Sequence, residues 1–368
     1  MSSNSKKPDK LNQNDSELGG KMVENFDITI DDIRSDALSC LTELNSQSKQ
    51  IGLFKINTCN NWLKEAKKQK VPEMLFDEFW YEGEICILFA DTNVGKSILA
   101  IQIGDSISKG EPIKNFRLTA GRQKIVYIDF EMSSKQFETR YSNKSKDHYL
   151  FDDDFERTEL NPDPHIADKY DDESQLYNSI EEIVSTTQTK ILIIDNITYL
   201  RHDTEKAKDA LPLMKKLKSL KTQHGLSILV LAHTPKRNPA NPLTQNDLQG
   251  SKMLINFCDS AFAIGESSKE VGMRYLKQIK ARNTSIKYGA NNVPICKLNK
   301  PNNFVCFEFI KFGSEKSHLR SISKDENRAV EEKIISLFNS NSKMSRADIA
   351  RELDIYPMKV SRVLNKLS

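Results

Sequence analysis

Short apolar runs alternate with amphipathic stretches from about residue 73 onward. Several of these runs are β-branched and apolar on both faces, as strands buried on both sides of a parallel sheet must be. The six runs are residues 85–90, 125–128, 191–194, 228–232, 261–264 and 275–279. The stretches between them carry helix signals, with Ser174 before one apolar helical pattern and Gly225 after another. This alternation predicts a doubly wound α/β fold with a mainly parallel sheet.

The segments before and after this region have a different pattern of apolar and polar residues. The N-terminus is rich in Ser, Asn, Lys and Asp and has too few large apolar side chains to offset the entropy of ordering. Three helical patterns follow Ala329, near 330–339, 346–353 and 357–367. The predicted segments are a disordered tail at 1–25, a helical linker arm at 26–72, the α/β domain at 73–313, a charged linker at 314–328 and a small all-α domain at 329–368.

Composition and charge exclude several classes of protein. The 368 residues carry 54 basic and 51 acidic side chains, a net charge of +3, so any basic surface must be local. The longest unbroken apolar run, 85–90, is far shorter than the roughly 20 residues of a membrane span. The N-terminus also lacks the apolar core of a secretory signal.

Six cysteines are scattered along the chain without a C-x-x-C pair. Cys86 lies inside an apolar run, which favours reduced, buried thiols in a cytoplasmic protein. A zinc site or a disulfide framework is the alternative. The cysteines are Cys40, Cys59, Cys86, Cys258, Cys296 and Cys306.

An acidic stretch interrupts the α/β pattern at 152–173. It holds ten acidic side chains against only Arg157 and Lys169. The spacing of the acids matches no EF-hand loop. A solvated insertion loop is therefore predicted, with a metal cage as the alternative.

The clearest chemical signal is a turn that contains Gly, Lys and Ser between a strand pattern and an amphipathic helix. A phosphate loop needs this context, because its backbone N–H groups and the helix N-terminus face the phosphates. Lys96 is predicted to reach the β- and γ-phosphates and Ser97 to bind Mg²⁺. Ala90 stands where the common pattern has glycine, which is tolerable if its φ is negative. The predicted nucleotide-binding residues are Ala90, Asp91, Thr92, Asn93, Val94, Gly95, Lys96, Ser97 and Ile98.

Acidic residues follow two other strand patterns. The run 191–194 ends in Asp195, which at the carboxyl edge of the sheet could hold Mg²⁺ through water. The run 125–128 is followed by Asp129 and Glu131, and such a carboxylate can polarise the water that attacks the γ-phosphate. We assign Glu131 as this base, with Asp129 as a competitor that the pattern alone does not exclude.

The order of these segments resembles that in RecA-like ATPases. The resemblance covers about residues 73–313 and is greatest to the hexameric replicative-helicase branch of AAA-type ATPases and its plasmid-encoded relatives. It implies a P-loop fold that uses ATP and Mg²⁺, with Glu131 rather than Asp129 as the catalytic base. It also implies that His233 senses the γ-phosphate. The segments that carry it are FADTNVGKS, YIDFEMS, ILIIDN and LVLAHTPK.

The same branch has a K-x-R pair on a late strand that reaches the nucleotide of the neighbouring subunit. Lys280 and Arg282 stand at the matching place, after the run 275–279. The resemblance implies that their charge stabilises the transition state in a homo-oligomeric ring or filament. An exposed basic strand end is the alternative.

The resemblance also implies single-stranded DNA as a partner. In RecA-like motors the loops after the Asp-ending and His-ending strands grip single-stranded DNA, and here these are loops 201–206 and 236–252. Lys236, Arg237 and Lys252 are the cations of the second loop, and such cations could follow a phosphate backbone. A plain solvated loop is the alternative.

The C-terminal segment resembles a helix-turn-helix. Ser345 and Asp348 form a capping box, and a short turn leads to a last helix that Pro357 opens. An apolar stripe runs along that helix. The cations of the helix lie outside this stripe, where they could contact duplex DNA. A packing or partner module is the alternative. The cations are Lys359, Arg362 and Lys366.

These features together predict an ATP-hydrolysing, DNA-handling motor, a helicase or helicase-like ATPase of a plasmid, phage or mobile element. The alternative is an ATP-switched DNA-binding regulator or assembly platform without strand-separating activity. A small-molecule P-loop kinase fits less well, because such enzymes usually carry a lid with arginines, which the acidic insertion does not supply.

Overall fold

The structure is a computed structural model whose contacts divide the chain into two units, 1–71 and 72–368. No helix among the residues it describes is long and apolar enough to cross a membrane. The described residues are 30–31, 34–35, 49–144, 146–161, 163, 173–200, 207–235, 237–248, 252–321, 324–340, 344–353 and 355–366.

The described part of the N-terminal unit contains a hairpin and a helix. Its elements are β1 (Lys49–Ile51), β2 (Phe54–Ile56) and α1 (Cys59–Lys67). Thr58 caps the helix, because its hydroxyl accepts a hydrogen bond from the N–H of Asn61 at 3.2 Å. Helix α1 agrees with the helical pattern expected in the arm, whereas the hairpin was not predicted. The tail at 1–25 lies outside the described residues.

A nine-stranded sheet forms the centre of the second unit. The strands of this unit are β3 (Met74–Phe76), β4 (Trp80–Tyr81), β5 (Ile85–Ala90), β6 (Ile125–Asp129), β7 (Ser142–Asn143), β8 (Asp147–His148), β9 (Phe155–Glu159), β10 (Ile191–Asp195), β11 (Ser227–His233), β12 (Ser260–Glu266), β13 (Met273–Lys280), β14 (Val293–Asn299) and β15 (Cys306–Gly313). The order in the sheet is β15-β14-β13-β12-β5-β11-β10-β6-β9. The strands from β12 to β9 in that order are parallel, and β13, β14 and β15 extend the sheet antiparallel.

Helices cover both faces of this sheet. They are α2 (Lys96–Lys109), α3 (Ser134–Arg140), α4 (Glu173–Thr187), α5 (Ala207–His224) and α6 (Lys252–Phe257). One apolar core lies between the sheet and α4 and α5, and a second core lies on the face that α2 covers. Strands β5, β6 and β10 are buried along their whole length for this reason. All six apolar runs are strands, which confirms the α/β fold with a mostly parallel sheet.

The first part of the acidic stretch at 152–173 forms regular structure. Residues 155–159 form β9, an edge strand that pairs in parallel with β6. Arg122 holds the residues before it through ion pairs with Asp152 and Asp154, each at 2.8 Å. The expectation of a plain loop is therefore wrong for this part. Residues 162 and 164–172 lie outside the described residues.

The charged linker expected at 314–328 is shorter in the structure. The carboxylate of Glu315 is buried and accepts hydrogen bonds from the N–H of Leu243 at 2.7 Å and from Nζ of Lys277 at 2.5 Å. The α/β domain therefore continues through this turn. A helix begins again at Lys324.

Three helices complete the second unit. They are α7 (Lys324–Ser340), α8 (Arg346–Glu352) and α9 (Pro357–Leu364). Their buried side chains, among them Ile334, Ile349 and Val360, form an apolar cluster of their own. Ser345 and Asp348 form both hydrogen bonds of the predicted capping box. We refer to α7–α9 as the C-terminal helical unit.

The cysteines of the described residues are free thiols. Cys59 is exposed, and Cys86, Cys258, Cys296 and Cys306 are buried. Burial raises the pKa of the Cys86 thiol, which keeps it protonated. Among the described residues there is also no group of three or more His, Cys, Asp or Glu side chains that could hold a metal ion. Four of these five cysteines are buried, as predicted, whereas Cys59 is not, and Cys40 lies outside the described residues.

Candidate nucleotide site

The predicted phosphate loop joins β5 to α2 at the carboxyl edge of the parallel strands. Asn93 and Gly95 have positive φ angles of 62° and 115°, and Gly95 is the N-cap residue of α2. Glycine suits this position, because side chains with a Cβ rarely adopt such an angle. Ala90 is the last residue of β5 and is not among the described residues with positive φ. Its methyl group is therefore tolerated where the common pattern has glycine.

The side chain of Lys96 folds back into this loop. Its Nζ lies 3.1 Å from the carbonyl oxygen of Ala90, 3.2 Å from that of Asp91 and 3.1 Å from Nδ1 of His233. Burial lowers the pKa of Lys96, against the effect of three nearby carboxylates. A nucleotide phosphate would offer this buried ammonium a charged partner in place of the two carbonyls.

The neighbours of His233 determine where its proton lies. The ammonium of Lys96 can only donate, so Nδ1 accepts and a neutral ring carries its proton on Nε2. With that proton on Nε2, His233 donates to Oε1 of Glu131 at 3.2 Å. Nδ2 of Asn196, itself a donor to Glu131, lies 3.0 Å from the same ring nitrogen. The hydrogen bond from His233 is the main reason why the pKa of Glu131 is lowered. Glu131 is consequently ionised near neutral pH, as a general base must be.

Asp129, the competitor for the catalytic role, is engaged on both oxygens. Its Oδ1 accepts from the N–H of Glu131 at 3.0 Å and from the N–H of Met132 at 2.8 Å. Its Oδ2 accepts from Nε of Arg157 at 2.9 Å, and the carboxylate is fully buried. Asp129 thus stabilises the turn that presents Glu131, and the geometry favours Glu131 as the base.

Asp195 ends β10 beside Ser97 of the loop. Its Oδ2 accepts from the hydroxyl of Tyr127 at 2.5 Å, whereas its buried Oδ1 has no hydrogen-bond partner among the described residues. Burial raises the pKa of Asp195 to about 6, against hydrogen bonds from Ser97 and Tyr127. A buried carboxylate oxygen without a partner, next to a serine hydroxyl, suits Mg²⁺, which binds through one or two carboxylates together with phosphates and water. Ser97 and Asp195 therefore fit the predicted metal role.

Two side chains of the site were not predicted as site residues. Asn196 donates through Nδ2 to Oε1 of Glu131, and its Oδ1 accepts from the N–H of Thr198 at 2.8 Å. Arg157 reaches from β9 to Asp129 and to the carbonyl oxygen of Met132. Asn196 lies in the segment ILIIDN and could have been noticed there. Arg157 could not, because its partner lies on another strand.

Lys280 and Arg282 lie at the opposite edge of the sheet. Lys280 pairs with Ala261 of β12, which is level with Ile87 of β5. Ile87 lies about 10 Å before the phosphate loop along that strand. Lys280 donates to three carbonyls at the end of α6, including that of Cys258 at 2.7 Å. In the structure this ammonium therefore caps the helix, and its catalytic role stays a prediction. Arg282 is 55% exposed and forms an ion pair with Asp259 at 2.9 Å.

Arg237 is largely buried within the second loop. Its side chain is 10% exposed, and Nη2 donates to the carbonyl of Asn241 at 2.6 Å near the carboxylate of Asp247. Arg237 thus holds its own loop together, and a DNA contact by this residue stays a prediction. Lys236 and loop 201–206 lie outside the described residues, as does the side chain of Lys252 at the start of α6.

The three cations of α9 differ in their surroundings. Lys359 is half-buried and donates to Oδ1 of Asn327 on α7 at 2.9 Å. Arg362 and Lys366 are exposed. Arg362 and Lys366 are therefore accessible to a phosphate backbone, whereas Lys359 would first have to break its hydrogen bond to Asn327.

One of the comparisons with known proteins covers the region of this site. Residues 59–239 match the AAA domain family. The match contains the phosphate loop, Glu131, Asp195 and His233 and supports an AAA-type P-loop ATPase domain. A KaiC-like protein from Pyrococcus horikoshii is 14% identical with a TM-score of 0.41, and the alignment covers 62% of this chain and 90% of that chain. No curated protein matches this chain.

Replacing Glu131 by Gln tests the assignment of the base in this ATPase domain. The variant is expected to bind ATP but to hydrolyse it about 10²- to 10⁴-fold more slowly, because the amide cannot accept the proton of the attacking water. Equilibrium binding and steady-state phosphate release measure the two effects separately. The matched variant Asp129→Asn keeps Glu131 and should lose stability more than turnover. If Asp129→Asn is inactive while folded and Glu131→Gln is active, Asp129 is the base.

Proposed function

We propose that this chain is a Mg²⁺-dependent ATPase that acts on DNA as a helicase or helicase-like motor of a plasmid, phage or mobile element. One observation carries the ATPase part of the proposal. Lys96, His233 and Glu131 form a continuous hydrogen-bonded chain at the phosphate loop. A cation for the phosphates, a polar ring and an ionised base are thus in contact with one another.

Each of these side chains has a defined task in hydrolysis. Lys96 exchanges its carbonyl partners for phosphate oxygens, and Glu131 takes the proton of the attacking water. His233 contacts both, so its hydrogen bonds change whenever Lys96 moves. Ser97 and Asp195 would hold Mg²⁺, which neutralises the charge that develops on the phosphates.

The DNA-handling part of the proposal is tested by turnover in the presence of single-stranded DNA. A motor should hydrolyse ATP faster when it binds single-stranded DNA, and the stimulation should fall with salt because the contact is to phosphates. The measurement is phosphate release at constant protein and rising DNA concentration. If single-stranded DNA does not change the rate of turnover at any concentration, the motor role is contradicted, while the proposed ATPase activity is not.

One observation favours the second candidate, an ATP-switched DNA-binding platform. The loop after β11 and the turn before α9 line the same cavity of about 310 Å³, with Arg237 and Thr244 on one side and Tyr356 on the other. The N–H of Arg320 also donates to the carbonyl of Pro239 in that loop at 3.2 Å. A change at His233 could therefore reach the C-terminal helical unit. Nucleotide-dependent duplex binding without strand separation would favour this candidate.

Duplex binding by the C-terminal helical unit is expected to depend on Arg362 and Lys366. Replacing both by Gln in the full-length chain should weaken duplex binding and lower the dependence of log K on log salt by about 2, because each phosphate contact contributes about 1. Lys333→Gln, an exposed lysine of α7, is the matched control. Equal salt dependence of all three proteins would show that the unit does not contact DNA through α9.

A further inference from the structure

A buried arginine contacts the phosphate loop from the antiparallel part of the sheet. Arg274 is the second residue of β13, and its side chain is only 9% exposed. Its Nε donates to the carbonyl oxygen of Val94 at 3.1 Å. Its Nη1 donates to the carbonyl of Met273 at 3.0 Å and lies 3.0 Å from Oε1 of Glu266. The guanidinium is thus held by β12 and β13 and directed at the loop.

The carbonyl that it contacts lies at the most constrained point of the loop. Val94 stands between Asn93 and Gly95, the two loop residues with positive φ. The carbonyl of Val94 and the N–H of Gly95 belong to one planar trans peptide, so they point in opposite directions. Fixing the carbonyl toward Arg274 therefore directs the N–H of Gly95 away from it. A hydrogen bond from a cation also polarises the peptide and strengthens that N–H as a donor.

A second contact closes the other side of this peptide. A methyl group added to Gly95 would lie 3.0 Å from Cζ of Phe307, a buried residue of β15. Two hydrogen bonds connect Phe307 to Gln102 of α2. The main-chain N–H of Phe307 donates to Oε1 of Gln102 at 2.8 Å, and Nε2 of Gln102 donates to the carbonyl of Phe307 at 3.1 Å. The loop is therefore held between Arg274 and Phe307, and both lie beyond the segment that matches the AAA domain family.

We propose that Arg274 is a positioning residue that sets the Val94–Gly95 peptide so that the loop N–H groups meet the nucleotide phosphates. The inference rests on the proposed ATPase function and adds a residue that acts through the loop and does not touch the nucleotide. Loop N–H groups cradle the inner phosphates, which ATP and ADP share. The role therefore predicts an equal loss of affinity for both nucleotides, with little effect on the chemical step.

The test compares Arg274→Met with wild type and with Glu266→Gln, which removes the carboxylate and keeps the bond to Val94. Arg274→Met is expected to raise the Kd of both ATP and ADP roughly 10- to 100-fold, as the loss of a hydrogen bond from a charged group does. KM for ATP should rise by the same factor, and kcat should change less than about threefold. Arg274→Lys should recover part of the affinity, and Glu266→Gln should stay within about twofold of wild type.

Three outcomes would overturn the role. They are a folded Arg274→Met protein with both Kd values within twofold of wild type, a loss of ATP affinity without loss of ADP affinity, and a fall in kcat at unchanged affinity. If Arg274→Met does not fold, Arg274→Gln replaces it, because the shorter neutral amide keeps a polar group near Glu266 but does not reach Val94. Unchanged affinity in that variant overturns the role equally. A wild-type chain that binds neither nucleotide would contradict the proposed ATPase instead.

Discussion

Lys96→Ala is expected to lower ATP turnover by about 10³-fold or more, because phosphoryl transfer depends on charge placed at the phosphates. In the structure its ammonium is buried and its pKa is lowered by that burial. Burial of the charged ammonium therefore destabilises the folded state. Removing the ammonium by Lys96→Ala should not lower the midpoint of thermal unfolding. Phosphate release and thermal unfolding measure the two expectations.

Lys124→Ala provides the control for this variant. Lys124 is a partly exposed lysine that pairs with Glu156 at 2.6 Å, away from the loop. Its loss should leave turnover within about twofold of wild type, because surface ion pairs contribute little. Normal turnover in a folded Lys96→Ala protein would remove the ATPase assignment of this site.

Arg282→Ala is expected to remove most turnover, by roughly 10³- to 10⁵-fold, while ATP binding stays nearly intact. The structure places Arg282 at the edge of the sheet opposite its own phosphate loop, so a role in catalysis requires the loop of another subunit. Its half-exposed guanidinium forms an ion pair with Asp259. Arg122→Ala is the matched control, since Arg122 is 54% exposed and also ion-paired.

Mixing two inactive variants separates a contribution between subunits from one within a subunit. Arg282→Ala mixed with Lys96→Ala should recover turnover at interfaces that pair an intact loop with an intact Arg282. Recovery should rise with protein concentration, because it depends on assembly. If the mixture stays inactive where the two proteins demonstrably co-assemble, or if Arg282→Ala alone is fully active, Arg282 is a surface residue.

The parallel sheet was predictable because its strands are apolar on both faces. Strand β9 was not predictable, because its sequence FERTE lies in an acidic stretch and has no apolar run. Its order depends on contacts from distant residues, such as Arg157 with Asp129. Strands β14 and β15 are not continuous apolar runs, because charged residues interrupt them: Lys297 in β14, and Glu308 and Lys311 in β15.

The phosphate loop was predictable because its residues are neighbours in the sequence and their chemistry is local. The roles of isolated cations were not, since a charge in a sequence does not reveal its partner. Lys280 and Arg237 illustrate this limit, because both are occupied by main-chain carbonyls of their own chain. The choice between Asp129 and Glu131 likewise needed the hydrogen bonds that engage both oxygens of Asp129.

Phosphate release from ATP by the purified full-length chain tests the proposed ATPase most directly. The measurement is made with and without single-stranded DNA, over a range of protein concentrations. We expect turnover that rises with protein concentration, increases with single-stranded DNA and stops when EDTA removes Mg²⁺. A chain that binds ATP but releases no phosphate at any concentration, with or without DNA, would contradict the proposed ATPase.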